Sequence, residues 1–98
     1  MFIITQDENC IINVDRTDFI QREETYNEET RETMHKIYAQ VGYFNNPNNT
    51  PKPIVQILGE YETEADAKIA FGKLINYIQF PINPIFKMPP CNTDEDGM

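Results

Sequence analysis

The sequence predicts an α+β domain: an antiparallel sheet of about five strands, with one C-terminal amphipathic helix packed on one face. Three observations lead there. Ile54-Val55-Gln56-Ile57-Leu58 is a short β-branched and aliphatic run that stops at Gly59, as a strand does. Thr63 to Phe80 carries apolar residues at helical spacing and ends before Pro81. Upstream of both, short apolar runs alternate with polar or Pro- and Asn-rich breaks, the pattern of strands joined by turns.

The elements follow in order. Phe2 to Thr5 is β-rich, Gln6 to Asn9 is a polar turn, and Cys10 to Val14 is apolar again, which predicts an N-terminal hairpin. Asp15 to Asp18 is a polar break, and Phe19 to Arg22 starts a third strand. The middle supports two readings. Met34, Ile37, Tyr38 and Val41 fall at helical spacing, while Ile37, Ala39, Val41 and Tyr43 alternate with Lys36, Tyr38, Gln40 and Gly42 at strand spacing. The aromatic and β-branched content, and the run into Gly42, favour the strand; the helix stays open. On the strand reading, Tyr26 to Thr33 is the bend between two long antiparallel strands.

Asn45 to Lys52 is rich in Asn and Pro and is expected to project as a flexible tip rather than sustain a helix or a central strand. The two-sided apolar character of Ile54 to Leu58 predicts a central strand under the helix. Thr63 is the expected N-cap, with Asp66 three residues on and Glu64 in the first turn, where negative charge suits the helix dipole. Ala67, Ala70, Phe71, Leu74 and Ile78 form the apolar stripe, widened by Ile75. Gly72 costs about 1 kcal/mol against Ala in a helix interior, and close approach to the sheet would explain it. Ile85 to Met88 forms a short edge strand. Residues 1–89 are thus one domain, and 90–98, with Asp94-Glu95-Asp96, an acidic disordered tail.

The 98 residues carry 16 acids against 8 Lys and Arg, a formal charge of −8. That balance argues against direct binding to nucleic acid, which needs a basic surface. It permits plain solubility, or attraction to a basic surface on another protein. No apolar run approaches the roughly 20 residues of a membrane span, and the start lacks a basic n-region with a long apolar stretch. The chain is therefore expected to be cytoplasmic, without membrane contact, and Cys10 and Cys91 to be reduced.

No residues point to catalysis, a metal or a cofactor. His35 is the lone histidine, and Cys10, Cys91 and His35 lack ligand-pair spacing. The glycines are scattered singly, with no phosphate-cradling loop. Glu23, Glu24, Glu28, Glu29 and Glu32 cluster together, relieved only by Arg22 and Arg31, with Tyr26 among them. One reading is a solvated turn. The other is a partner-binding carboxylate array that imitates nucleic-acid phosphates, with Tyr26 as an anchor of the interface.

The opening MFIITQD, the IINVD soon after, LGEYETEADAKIAFGKLINYI and the closing IFKMP together resemble a group of short uncharacterised proteins of Firmicutes, their phages and their mobile elements. The shared outline is an Ile-x-Thr-Gln-Asp start, Leu-Gly-x-Tyr-x-Thr-Glu-x-x-Ala-Lys at the helix start, and x-Met-Pro at the end. The resemblance implies one helix against an antiparallel sheet and no established activity. The acidic stretch from Glu23 to Thr33 and the Asn/Pro loop depart from the outline. With the acidic cluster, the resemblance gives a leading expectation of a non-enzymatic, phage-type interaction protein. It would inhibit a host defence nuclease of the CRISPR kind by occupying its basic nucleic-acid groove. The alternative is a structural or assembly protein of a mobile element, a homodimer formed through an exposed strand edge.

Overall fold

The computed structural model describes residues 1–45 and 51–90, and the side chains of 1–42 and 51–90. Part of the Asn/Pro tip and most of the acidic tail lie outside the described residues. Strands β1 (Phe2–Ile4), β2 (Ile11–Asn13), β3 (Phe19–Asn27), β4 (Glu32–Asn45) and β5 (Pro51–Tyr61) precede helix α1 (Glu64–Gln79), and β6 (Ile85–Lys87) follows it. The fold class is α+β, but the single sheet of about five strands is corrected. Two three-stranded sheets stand instead, ordered β2-β1-β6 and β3-β4-β5. The division has a local cause. Asp15 to Asp18 tightens into a 3-10 turn over Val14–Arg16, with the Asn13 side chain accepting from the Asp15 N–H. The chain leaves the first hairpin there and starts a new sheet.

In the small sheet, β1 pairs antiparallel with β2 and parallel with β6. Ile12, Ile3 and Phe86 share one rung. Ile3 and Ile12 are buried there, and Phe86 stacks on Tyr77 of α1 with ring centroids 5.0 Å apart. The turn between β1 and β2 is held by Asp7, whose carboxylate accepts from the Thr5 hydroxyl at 2.6 Å and the Asn9 N–H at 3.0 Å.

The large sheet is antiparallel throughout, and β4 is its central strand. The strand reading of Met34 to Val41 therefore holds, and the helical spacing there is coincidental. The central place expected for Ile54 to Leu58 is corrected: β5 is bonded to β4 on one side only. Ile54 and Val55 are exposed, so their apolar character reflects an edge rather than two covered faces. The expected loop from Asn45 to Lys52 is shorter, because Asn45 still pairs with Pro51 and Tyr43 with Pro53. Prolines are tolerated there because an edge strand can spare N–H groups. Two register shifts compensate each other. Leu58 is the extra residue on β5 and Val41 on β4, beside Gly42, whose φ of 147° favours glycine.

Helix α1 follows the sequence closely. Thr63 caps it, accepting from the Asp66 N–H at 3.1 Å, and Phe80 closes it. Ala67, Ala70, Leu74 and Tyr77 are buried against His35, Ile37, Ala39, Leu58 and Tyr61. Gly72 is corrected: it is exposed, and a methyl group built on it meets nothing within 4 Å. No close approach to the sheet explains that glycine.

Among the described residues the two sheets share one core and are hydrogen-bonded to each other around Gln6. The Gln6 N–H donates to the Leu58 carbonyl at 2.8 Å, and its side-chain amide donates to the Glu60 carbonyl and accepts from the Glu60 N–H. Gln6 thus acts as one more strand residue on the edge of β5, at the bulge. The Tyr61 ring folds back over Gly59, and its hydroxyl donates to the Pro89 carbonyl at 2.7 Å. Met88 is buried beside them, and its N–H donates to Ile4. The three motif pieces, Thr5-Gln6-Asp7, Leu58-Gly59-Tyr61 and Met88-Pro89, therefore meet in one junction that ties the sheets together.

Candidate functional site

Directly opposed residues of an antiparallel pair share a face, and neighbours along a strand alternate. His35, Ile37 and Ala39 face α1, so Arg22 and Glu24, opposite Ile37 and His35, lie on the helix side. Arg22 accordingly reaches Glu64 of α1 at 4.0 Å. Met34, Lys36 and Tyr38 face the other way, together with Thr25, Glu23 and Gln21 of β3 and Glu60 and Ile57 of β5.

This alternation divides the carboxylates that the sequence clusters. Glu23 lies on the outer face of the sheet, in the rung Glu23–Lys36–Glu60. Glu24 and Tyr26 belong to the helix side, with Glu24 in the rung of His35 and Tyr61. Glu28 and Glu29 occupy the turn between β3 and β4, and Glu32 opens β4 opposite Asn27. All six residues are exposed, but they do not form one array. The turn is well specified. The Asn27 side chain accepts from the Glu29 N–H at 2.9 Å, its carbonyl accepts from the Arg31 N–H at 2.7 Å, and Arg31 takes a left-handed φ of 59°. It holds Glu28 and Glu29 over the outer face.

Two hollows result. One, of about 620 Å³, is lined by Thr25, Tyr26, Asn27, Glu28, Glu29, Met34, Lys36 and Glu60. Beside it a hollow of about 310 Å³ is lined by Glu32, Thr33, Met34 and Glu62. Sequence reading missed Glu60 and Glu62, which come from beyond the Asn/Pro loop; only the β4–β5 register brings them beside Glu23 and Glu32. Further along the same face Phe19 and Val55 stay exposed and Tyr38 is half-buried. Burial pushes the Tyr38 hydroxyl above its ordinary range, and the adjoining Glu23 carboxylate, which accepts from it and opposes the phenolate, adds to the shift.

His35 is buried on the helix side, and its Nδ1 has no hydrogen-bond partner. Among the described residues no group of three or more His, Cys, Asp or Glu side chains is placed to hold a metal ion, and no helix is long and apolar enough to cross a membrane. No family model, curated protein or solved structure matches the chain.

Proposed function

We propose that the chain is a non-enzymatic interaction protein that binds a basic surface of another protein through the outer face of the large sheet. The observation that carries this reading is the composition of that face at its turn end. Glu28, Glu29, Glu32, Glu60 and Glu62 line two adjoining hollows, Lys36 is the one cation among the lining residues, and Glu23 lies opposite Lys36. Apolar Phe19, Tyr38, Ile57 and Val55 continue the face away from the acids. Acids beside exposed apolar groups suit a protein partner: the charges steer encounter and the apolar part holds the complex.

A basic groove built for nucleic acid is the most plausible target by charge, and a host defence nuclease of the CRISPR kind fits the resemblance to phage and mobile-element proteins. Carboxylates in such a groove would exclude DNA or RNA by occupying its Lys and Arg side chains. Glu24 sits on the helix side and is not part of this contact, whereas Tyr26, near the end of β3, also lines the larger hollow and belongs to it.

The test is inhibition of a candidate nuclease by the protein and by Glu28→Lys/Glu29→Lys, at low and high salt. Inhibition should weaken with salt, as exposed charges are screened over about 10 Å at 0.1 M, and the variant should lose it while keeping its melting temperature. A folded variant that inhibits as well as the parent would refute the role of this face.

A further inference from the structure

We propose that β3 pairs with β3 of a second copy of the chain, antiparallel and in the register centred on Glu23, joining two large sheets into one of six strands. This inference is independent of which partner the outer face binds.

The argument begins with the edges. Among the described residues β2 and β6 are three residues long, and β6 is bracketed by Pro84 and Pro89. The free edge of β5 is covered by Gln6 at Leu58 and Glu60 and begins with Pro51 and Pro53. Bulges, prolines, shortness and charged side chains are the usual means of blunting an edge. β3 has only the last, in Arg22, Glu23 and Glu24. It is nine residues long, free of proline, paired without a register shift to β4, and open on its other side.

Its charges select a register. Pairing about a two-fold axis perpendicular to the sheet keeps facing residues on the same side, so each allowed register is centred on one residue. Centring on Arg22 sets Arg22 against itself, and centring on Glu24 sets Glu24 against itself. Neither forms an opposite-charge pair, because only Arg22 carries positive charge in FIQREETYN. Centring on Glu23 sets Arg22 against Glu24 of the second copy twice, Ile20 against Tyr26 twice, and Gln21 against Thr25 twice. It is also the only register that pairs all nine residues, from Phe19 with Asn27 to Asn27 with Phe19. Arg22 keeps donors for this contact, because its ion pair with Glu64, at 4.0 Å, is at the outer limit. The one opposed like pair is Glu23 with Glu23. Each has Lys36 as its neighbour on β4, so the seam reads Lys36–Glu23–Glu23–Lys36.

The test is sedimentation velocity over a wide concentration range, with circular dichroism to check folding. The parent should sediment as a dimer at high concentration. Arg22→Glu alone and Glu24→Arg alone should each lose the dimer, because each sets like charges together twice. An equimolar mixture of these two variants should recover a heterodimer, and the double exchange Arg22→Glu/Glu24→Arg should recover the homodimer. Glu23→Gln, an exposed change that keeps a side-chain acceptor for the Tyr38 hydroxyl, should tighten the dimer several-fold and keeps the test decisive if a charge-reversed variant misfolds. A parent that stays monomeric overturns the proposal. So does a dimer indifferent to the single reversals, or one that Glu23→Gln weakens.

Discussion

Gly59→Ala should destabilise the protein by about 2 kcal/mol, and the size follows from one contact. A methyl group at Gly59 falls 2.9 Å from the Tyr61 hydroxyl oxygen, 3.0 Å from Cε2 and 3.2 Å from Cζ. Such groups sit comfortably only at about 3.5–4.0 Å. The ring has nowhere cheap to go, because Tyr61 is fully buried and its hydroxyl is bonded to Pro89. If the ring stays, overpacking costs roughly 1–3 kcal/mol. If it swings out, the Pro89 bond goes, at about 1 kcal/mol, and the ring leaves the core, which costs roughly a further 1–3 kcal/mol in lost apolar burial. A loss of about 2 kcal/mol corresponds to a fall of roughly 8–16 °C in melting temperature for a domain of this size. Urea denaturation followed by far-ultraviolet circular dichroism measures it. A double-mutant cycle with Tyr61→Ala isolates the contact: once the ring is removed, Gly59→Ala should cost less than about 0.5 kcal/mol. A Gly59→Ala protein as stable as the parent, or one whose loss is unchanged without the ring, would refute the reasoning.

The same chemical change at Gly72 should act in the opposite direction. Nothing lies within 4 Å of the added methyl group, so Gly72→Ala should stabilise by about 0.5–1 kcal/mol in the same urea titration. Thr63→Ala removes the side-chain acceptor of the Asp66 N–H and should cost about 1 kcal/mol. The hydrogen bond from Thr5, then that from the Asn9 N–H, holds the Asp7 carboxyl below its ordinary 3.8. A carboxylate depressed in the folded state stabilises fully above its unfolded value, and that contribution disappears as pH falls through the folded one. Stability should therefore drop on the acid side below about pH 4, and Asp7→Asn should flatten that part of the pH profile.

Local chemistry was the part of the fold most legible in the sequence. The Thr63 cap, the stripe through Ala67, Ala70 and Leu74, and the strand character of Met34 to Val41 rest on neighbours a few residues apart. The division into two sheets was not legible, because the polar break from Asp15 to Asp18 reads alike between strands of one sheet and of two, and the joint between the sheets depends on Gln6 meeting Leu58 and Glu60 from more than fifty residues away. Nor was the edge position of β5, since an apolar run reads alike at an edge and in a centre. The candidate site was half legible. Glu28, Glu29 and Glu32 stay together because a turn carries them, whereas Glu23 and Glu24 part because a strand turns neighbours to opposite faces. The segments Thr5-Gln6-Asp7, Leu58-Gly59-Tyr61 and Met88-Pro89 converge on the junction of Gln6, Gly59, Tyr61 and Pro89, away from the turn that carries Glu28 and Glu29.

The most direct test of the central claim, that the acidic outer face binds a basic protein surface, is quantitative affinity capture from a Gram-positive host lysate. The parent should be compared with Glu28→Lys/Glu29→Lys and with Asp15→Lys/Glu64→Lys, which changes the net charge equally at exposed positions outside that face. The account predicts a nucleic-acid-binding protein that the parent and the second variant retain at low salt, that high salt releases, and that the first variant fails to retain. A partner held equally by all three, or one indifferent to salt, would contradict it.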